Sequence, residues 1–199
     1  MNHLTQFIAH RVNTVKELLQ VPYQLGIEVD LRDSGNKLYM HHDPFSQGEG
    51  FENYLKQYRH GTLILNIKSE GIEWKVLELL NGYSVNNFFF LDSSFPMILK
   101  LINNGEKRIA LRFSELEGID TISLMKGKAE WVWVDCFTKI PINNENYKIF
   151  KEWGFKICLV SPDLVGRAED IPGYKKYLAT ENIIPDAICT KIFNIDMWK

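Results

Sequence analysis

Residues 26–44 read GIEVDLRDSGNKLYMHHDP. Apolar residues alternate with the acids Glu28 and Asp30, which is typical of a strand whose two faces differ. The Ser-Gly-Asn sequence at residues 34–36 predicts a tight turn into a shorter strand over residues 37–42. The stretch therefore predicts a strand that carries two acids on one face, followed by a small hairpin arm.

On both sides of this stretch, short β-branched or aromatic runs alternate with stretches of helical periodicity. Eight main strands are predicted, over residues 7–10, 26–32, 63–68, 87–92, 108–113, 131–137, 156–160 and 187–192. This alternation is typical of parallel strands joined by helices. We therefore expect an α/β fold, a compact (β/α)8 TIM barrel formed by one domain over residues 1–199, with an open α/β sheet as the alternative. Because this fold usually takes about 200 residues or more, the helices after the second and seventh strands are expected to be short or replaced by loops.

Composition excludes several classes of partner. The 199 residues carry a net charge of −2, so the chain has no basic footprint for nucleic acid. The start of the chain lacks a signal-peptide pattern, and the apolar run at 88–91 is far too short to span a bilayer. The three cysteines have no CxxC spacing and are expected to be buried, reduced thiols. We expect a cytoplasmic protein without membrane insertion, and the many aromatic residues leave a homodimer open.

Side chains suited to catalysis or binding collect where the predicted strands end. In a parallel barrel these ends share one face, and catalytic groups gather there. Two buried acids on one strand need a partner, and oxygen ligands suit a hard divalent cation such as Mg²⁺ or Ca²⁺. The candidates are His10, Arg11, Glu28, Asp30, His42, Asp43, Asn66, Lys68, Arg112 and Lys191, with Asp92 and Asp135 as weaker ones.

A structural explanation of the same residues is also open. Glu28 and Asp30 would then pair with Lys68 and Arg112 as an internal ion network, because ion pairs with no catalytic role also occur in barrels. The two histidines would be hydrogen-bonded structural residues. The functional reading is favoured when the residues are taken jointly, because every member falls at the same end of its predicted strand.

The candidates resemble motifs of the glycerophosphodiester phosphodiesterase family, a TIM-barrel group related to phosphatidylinositol-specific phospholipases C. The likeness covers about the first 70 residues. Its segments are AHR at 9–11 with NT at 13–14 (AHRG…ENT in the family), EVD at 28–30 (ExD), HDP at 42–44 (HDP) and NIK at 66–68 (ExK).

The resemblance implies a metal-assisted hydrolysis of a small phosphodiester, of the kind met in lipid metabolism. One imidazole would act as general acid and the other as general base, while cationic side chains offset charge on the phosphate oxygens. The site would consist of a catalytic pair, His10 and His42, phosphate-binding Arg11, Lys68, Arg112 and Lys191, and metal-binding Glu28, Asp30, Asn66 and Asp43.

Three departures from the family pattern leave alternatives open. Asn66 replaces the third acid, Val12 replaces the glycine that follows His-Arg, and the insertion that normally follows the HDP segment is almost absent. An uncapped site favours a bulkier or different alcohol group than glycerol. One alternative function is therefore a degenerate barrel that binds a phosphorylated ligand without cleaving it. Another is a lyase that forms a cyclic phosphate.

Overall fold

The computed structural model describes residues 5–199 and divides them into two compact units. The first unit is Ala9–Gly105, and the second is Glu106–Lys199 together with residues 5–8. Each unit alternates strands with helices, so the mixed α/β class predicted from the sequence is confirmed. The single domain and the closure of the strands into one barrel stay predictions.

The first unit is built around β2, which pairs with β5 in parallel and with β3 in antiparallel orientation. β5 in turn pairs with β6 in parallel. The elements are β1 (Gln6–Ala9), which ends in this unit, α1 (Val15–Leu18), β2 (Gly26–Ser34), β3 (Lys37–Met40), β4 (Glu49–Gly50), α2 (Phe51–Gln57), β5 (Leu63–Ile67), α3 (Glu73–Gly82), β6 (Phe88–Leu91) and α4 (Phe95–Asn103). The hairpin arm predicted after the second strand is confirmed by the β2–β3 pairing.

The second unit is a parallel arrangement in the order β10-β9-β8-β7. Its three cysteines are buried and form no disulfide, as predicted. Its elements are β7 (Ala110–Phe113), α5 (Asp120–Leu124), β8 (Trp131–Val134), α6 (Asn144–Glu152), β9 (Lys156–Val160), the 3-10 helices Pro162–Val165 and Ala168–Asp170, α7 (Ile171–Thr180), β10 (Ala187–Thr190), the 3-10 helix Ile192–Asn194 and α8 (Ile195–Trp198).

Local signals in the sequence explain where several helices begin and end. The Thr14 side-chain oxygen accepts a hydrogen bond from the Glu17 amide, and the Glu17 carboxylate accepts one from the Thr14 amide. These two bonds form a capping box at the start of α1. Ser94 caps α4, whose first turn contains Pro96. Gly105 follows α4 with a φ of +85°, a conformation that glycine adopts without steric cost.

One of the two expectations about helix length was wrong. The helix after the seventh main strand is not short, because α7 has ten residues. Its buried Ile171, Tyr174 and Leu178 recur at helical spacing, and Pro172 lies in the first turn, where a helix tolerates it. The helix after the second main strand is short, as expected: α2 has seven residues, lies after the hairpin arm and buries Phe51. No helix within residues 5–199 has the length and apolar character needed to cross a bilayer.

Candidate active site

Strand β2 presents two acids on one buried face. Glu28 and Asp30 are 0% and 1% exposed, and their two-residue spacing points both side chains to the same side of the strand. Asn66 on β5 lies in register with Asp30 and is also buried. Three oxygen-bearing side chains from two neighbouring strands are thus brought together, as the sequence predicts.

Each acid is held by specific hydrogen bonds. Asn66 donates from Nδ2 to Glu28 Oε1 at 2.9 Å, and the Arg11 amide donates to Glu28 Oε2 at 2.7 Å. Asn13 donates from Nδ2 to Asp30 Oδ2, and its own Oδ1 accepts from the Asp30 amide, both at 2.9 Å. Asn13 therefore fixes both the backbone and the carboxylate of Asp30.

Two oxygen atoms in this cluster have no hydrogen-bond partner among the described residues. They are Asp30 Oδ1 and Asn66 Oδ1, and both are buried. Burying a polar atom without a partner is costly, so such atoms usually mark a bound water, an ion or a functional role. Lys68 Nζ lies 3.9 Å from Asp30 Oδ1, which is within ion-pair distance.

Burial strongly shapes the charge of the acids. Loss of solvent, and then the negative charge of Asp30, raise the pKa of Glu28 to about 8, while the bonds from Asn66 and the Arg11 amide act in the opposite direction. A cation bound beside Glu28 would favour the charged form of its carboxylate. The cluster is therefore suited to hold a cation.

His10 and Arg11 follow β1 and face the two acids. His10 Nε2 lies 3.8 Å from Glu28 Oε2, and Arg11 Nε lies 3.5 Å from Asp30 Oδ2. Arg11 has a φ of +56°, a left-handed conformation that costs a non-glycine residue about 1–3 kcal/mol. That conformation lets the Arg11 amide bond Glu28 while its guanidinium group stays half exposed.

Lys68 comes directly after β5 and contacts two acids. Its Nζ donates to Asp92 Oδ2 at 3.1 Å, in addition to the longer approach to Asp30. Asp92 follows β6 with a φ of +62°. The ammonium group is thus held at the carboxyl ends of β5 and β6, the edge where the sequence places it.

His42 and Asp43 form a hydrogen-bonded pair just beyond the hairpin arm. His42 Nδ1 lies 2.7 Å from Asp43 Oδ1, and this bond lowers the pKa of Asp43. Asp43 is 71% exposed. The described residues contain no group of three or more His, Cys, Asp or Glu side chains that could hold one metal ion, so Asp43 does not join Glu28 and Asp30 in such a group.

The remaining two predicted residues, Arg112 and Lys191, belong to the other compact unit. Arg112 Nη1 pairs with Asp135 Oδ2, which also accepts from Trp133 Nε1. The Lys191 ammonium lies 6.0 Å from the centre of the Phe193 ring. Their role in phosphate binding stays a prediction.

The sequence interpretation missed Arg32. It continues the two-residue period of Glu28 and Asp30, and its guanidinium donates to the main-chain oxygens of His41, His42 and Lys68. That period was the signal that could have identified it.

The structure was compared with known proteins by fold as well as by sequence. No family model matches the chain, and no curated protein matches it. A glycerophosphodiester phosphodiesterase from Agrobacterium tumefaciens matches with a TM-score of 0.66 at 16% identity, covering 98% of this chain and 99% of the other. One from Parabacteroides distasonis matches with a TM-score of 0.67 at 11% identity, covering 96% and 85%. This is the fold of the glycerophosphodiester phosphodiesterases.

Agreement in fold extends over nearly the whole chain, whereas the motif resemblance covers only about its first third. Six of the predicted site residues lie in the unit Ala9–Gly105 of this fold: His10, Arg11, Glu28, Asp30, His42 and Lys68. The side chains proposed for chemistry are therefore concentrated in one half of the fold.

Proposed function

We propose that this protein is a metal-dependent phosphodiester hydrolase with a closed (β/α)8 barrel, acting on a glycerophosphodiester or a related small phosphodiester. One observation carries the proposal: Asp30 Oδ1 and Asn66 Oδ1 are buried side by side in register without hydrogen-bond partners among the described residues. The fold shared with glycerophosphodiester phosphodiesterases supports the reaction class.

The donor set fits a hard divalent cation. Glu28, Asp30 and Asn66 offer two carboxylates and an amide oxygen, the ligand types that Mg²⁺ and Ca²⁺ prefer. When bound there, the ion would polarise the phosphoryl group and offset negative charge. Asp43 is not among the proposed ligands, because its carboxylate bonds His42 and is largely exposed.

The chain's own residues would bind the phosphate and move protons. Arg11 and Lys68 would hold the non-bridging oxygens, where positive charge favours the transition state more than the ground state. The Asp43 carboxylate accepts a hydrogen bond from His42 Nδ1, which orients the ring and leaves Nε2 for proton transfer to or from a substrate oxygen. His10 would serve as the second member of the acid–base pair.

A second candidate function is favoured by one contact. Because Asn66 donates to Glu28, the cluster is partly satisfied without a metal, which suits a site that binds a phosphorylated ligand and does not cleave it. This candidate predicts thermal stabilisation by the ligand with no product formed.

Phosphorus NMR of the product tests the proposal. The protein would be incubated with a panel of glycerophosphodiesters and an aryl phosphodiester, in Mg²⁺, Ca²⁺, Mn²⁺ or EDTA. A phosphomonoester formed only with metal supports hydrolysis, and a cyclic phosphate would instead indicate a lyase. If no phosphodiester of the panel is converted to product and one of them raises the melting temperature of the folded protein, the binding function would be favoured.

A further inference from the structure

Arg32 makes four hydrogen bonds to three main-chain oxygens. Its Nη2 donates to His42 O at 2.7 Å, its Nη1 donates to Lys68 O at 3.0 Å, and its Nε is shared between His41 O and His42 O at 3.2 Å each. The half-buried guanidinium therefore touches the backbone of two proposed active-site residues on two different segments.

The position of Arg32 in β2 explains why those oxygens need a donor. The ladder between β2 and β5 reaches Leu31, whose oxygen accepts from the Lys68 amide at 2.8 Å. On the other side of β2, the His41 amide donates to Asp30 O at 3.0 Å. Beyond these bonds the segments carrying His42 and Lys68 leave β2, and their partly buried carbonyls need new donors. The Arg32 side chain supplies them.

We propose that Arg32 is a positioning residue that holds the His42 segment and the Lys68 segment at a fixed separation. The inference rests on the proposed function, in which His42 transfers a proton and Lys68 holds the phosphate. Arg32 acts through the backbone of these residues, because its four hydrogen bonds all go to main-chain oxygens. It would set the distance between the acid–base group and the phosphate-binding group.

Arginine is the side chain suited to this task. Its planar group presents five donors in a rigid fork and keeps its charge at all working pH values, whereas lysine has one rotatable ammonium group. A lysine at position 32 could reach one of the two segments and would leave the oxygen of the other without its donor. The contacts of Arg32 with the His42 and Lys68 segments, called the clamp below, therefore require the shape of arginine as well as its charge.

The first test is kinetic. Arg32→Lys is compared with Arg59→Lys, a matched change at an exposed arginine that donates to the Tyr58 oxygen at the amino end of β5. We expect Arg32→Lys to lower kcat about 100-fold, since small displacements of reacting groups have effects of this size. The dissociation constant for Mg²⁺ should stay within about twofold, because Glu28 and Asp30 precede Arg32 on β2 and Asn66 lies in register with Asp30 on β5. A kcat within about threefold of the parent, or metal binding lost together with kcat, would overturn the proposal.

Chemical rescue separates positioning from general destabilisation. In Arg32→Ala, added methylguanidinium can supply the missing donors, so it should restore part of kcat and should not raise the activity of the parent. The melting temperature is followed at the same additive concentration. Recovery of kcat without a change in melting temperature supports the clamp, and recovery that only follows a rise in melting temperature contradicts it.

A readout independent of turnover keeps this inference distinct from the proposed function. In the NMR spectrum of Arg32→Ala, the ring signals of His42 should broaden or shift, while those of His60, at the amino end of β5, should not. Unchanged His42 signals would overturn the clamp even if the parent hydrolyses phosphodiesters. Altered His42 signals in a protein without turnover would support the clamp and count against the hydrolase.

Discussion

Asn66, which stands where the glycerophosphodiester phosphodiesterase motif has an acid, donates a hydrogen bond of 2.9 Å to Glu28. An acid there would add a third negative charge beside Glu28 and Asp30. The amide instead stabilises the metal-free cluster, and it leaves Asn66 Oδ1 as a neutral potential ligand. This exchange should make metal binding weaker and the metal-free protein more stable.

Changing Asn66→Asp should reverse both effects. The new carboxylate would repel its neighbours in EDTA, and it would add a charged ligand when Mg²⁺ or Ca²⁺ is present. We expect a lower melting temperature in EDTA and about a tenfold tighter metal dissociation constant by calorimetry, from one added charged ligand. Asn81→Asp, which adds the same charge on the exposed side of α3, is the control. Equal metal affinity in Asn66→Asp and the parent would contradict this metal site.

The raised pKa of Glu28 predicts how the stability of the metal-free protein depends on pH. Between its ordinary value of 4.5 and about 8, the folded protein binds a proton that the unfolded chain has released. This stabilisation is fully present below 4.5 and is lost as the pH rises toward 8.

The measurement for this prediction is denaturant unfolding in EDTA over that pH window. Glu28→Gln keeps the shape of the protonated acid and cannot ionise, so its stability should fall less with rising pH than that of the parent. Parallel pH profiles for the two proteins would show that Glu28 does not titrate in this window.

Lys68 is expected to have opposite effects on metal binding and on turnover. Its ammonium lies 3.9 Å from Asp30 Oδ1 and competes with a cation for that oxygen. Lys68→Met should therefore tighten Mg²⁺ binding. At the same time kcat/KM should fall about 100-fold or more, because the variant lacks the positive charge that stabilises the transition state. Lys56→Met, which removes an exposed lysine from α2, should change neither quantity. Weaker Mg²⁺ binding in Lys68→Met would mean that the lysine does not compete with the metal.

Local patterns in the sequence predicted the main strands, the hairpin arm and the shared face of Glu28 and Asp30. Each of these follows from short-range periodicity, because a two-residue spacing sets which face a side chain occupies. The capping box at Thr14 and the end of α4 at Gly105 were predictable for the same local reason.

Contacts between segments distant in sequence could not be predicted. The bond from Asn66 to Glu28 depends on the register of β2 against β5, and the bonds from Arg32 depend on where both ladders end. The length of α7 was underestimated because a short helix was inferred from the small size of the chain, whereas burial of Ile171 and Leu178 stabilises a longer one.

Turnover of a phosphodiester by His10→Ala and His42→Ala, each with saturating Mg²⁺, tests whether the two histidines are the acid–base pair of a hydrolase. The assay is phosphomonoester release, with His60→Ala as the control and melting temperatures recorded for all proteins. We expect each variant to fold and its kcat to fall by at least about 100-fold, since general acid–base groups contribute about 10²–10⁴-fold. Metal-dependent release at the parent rate in either variant would contradict this assignment.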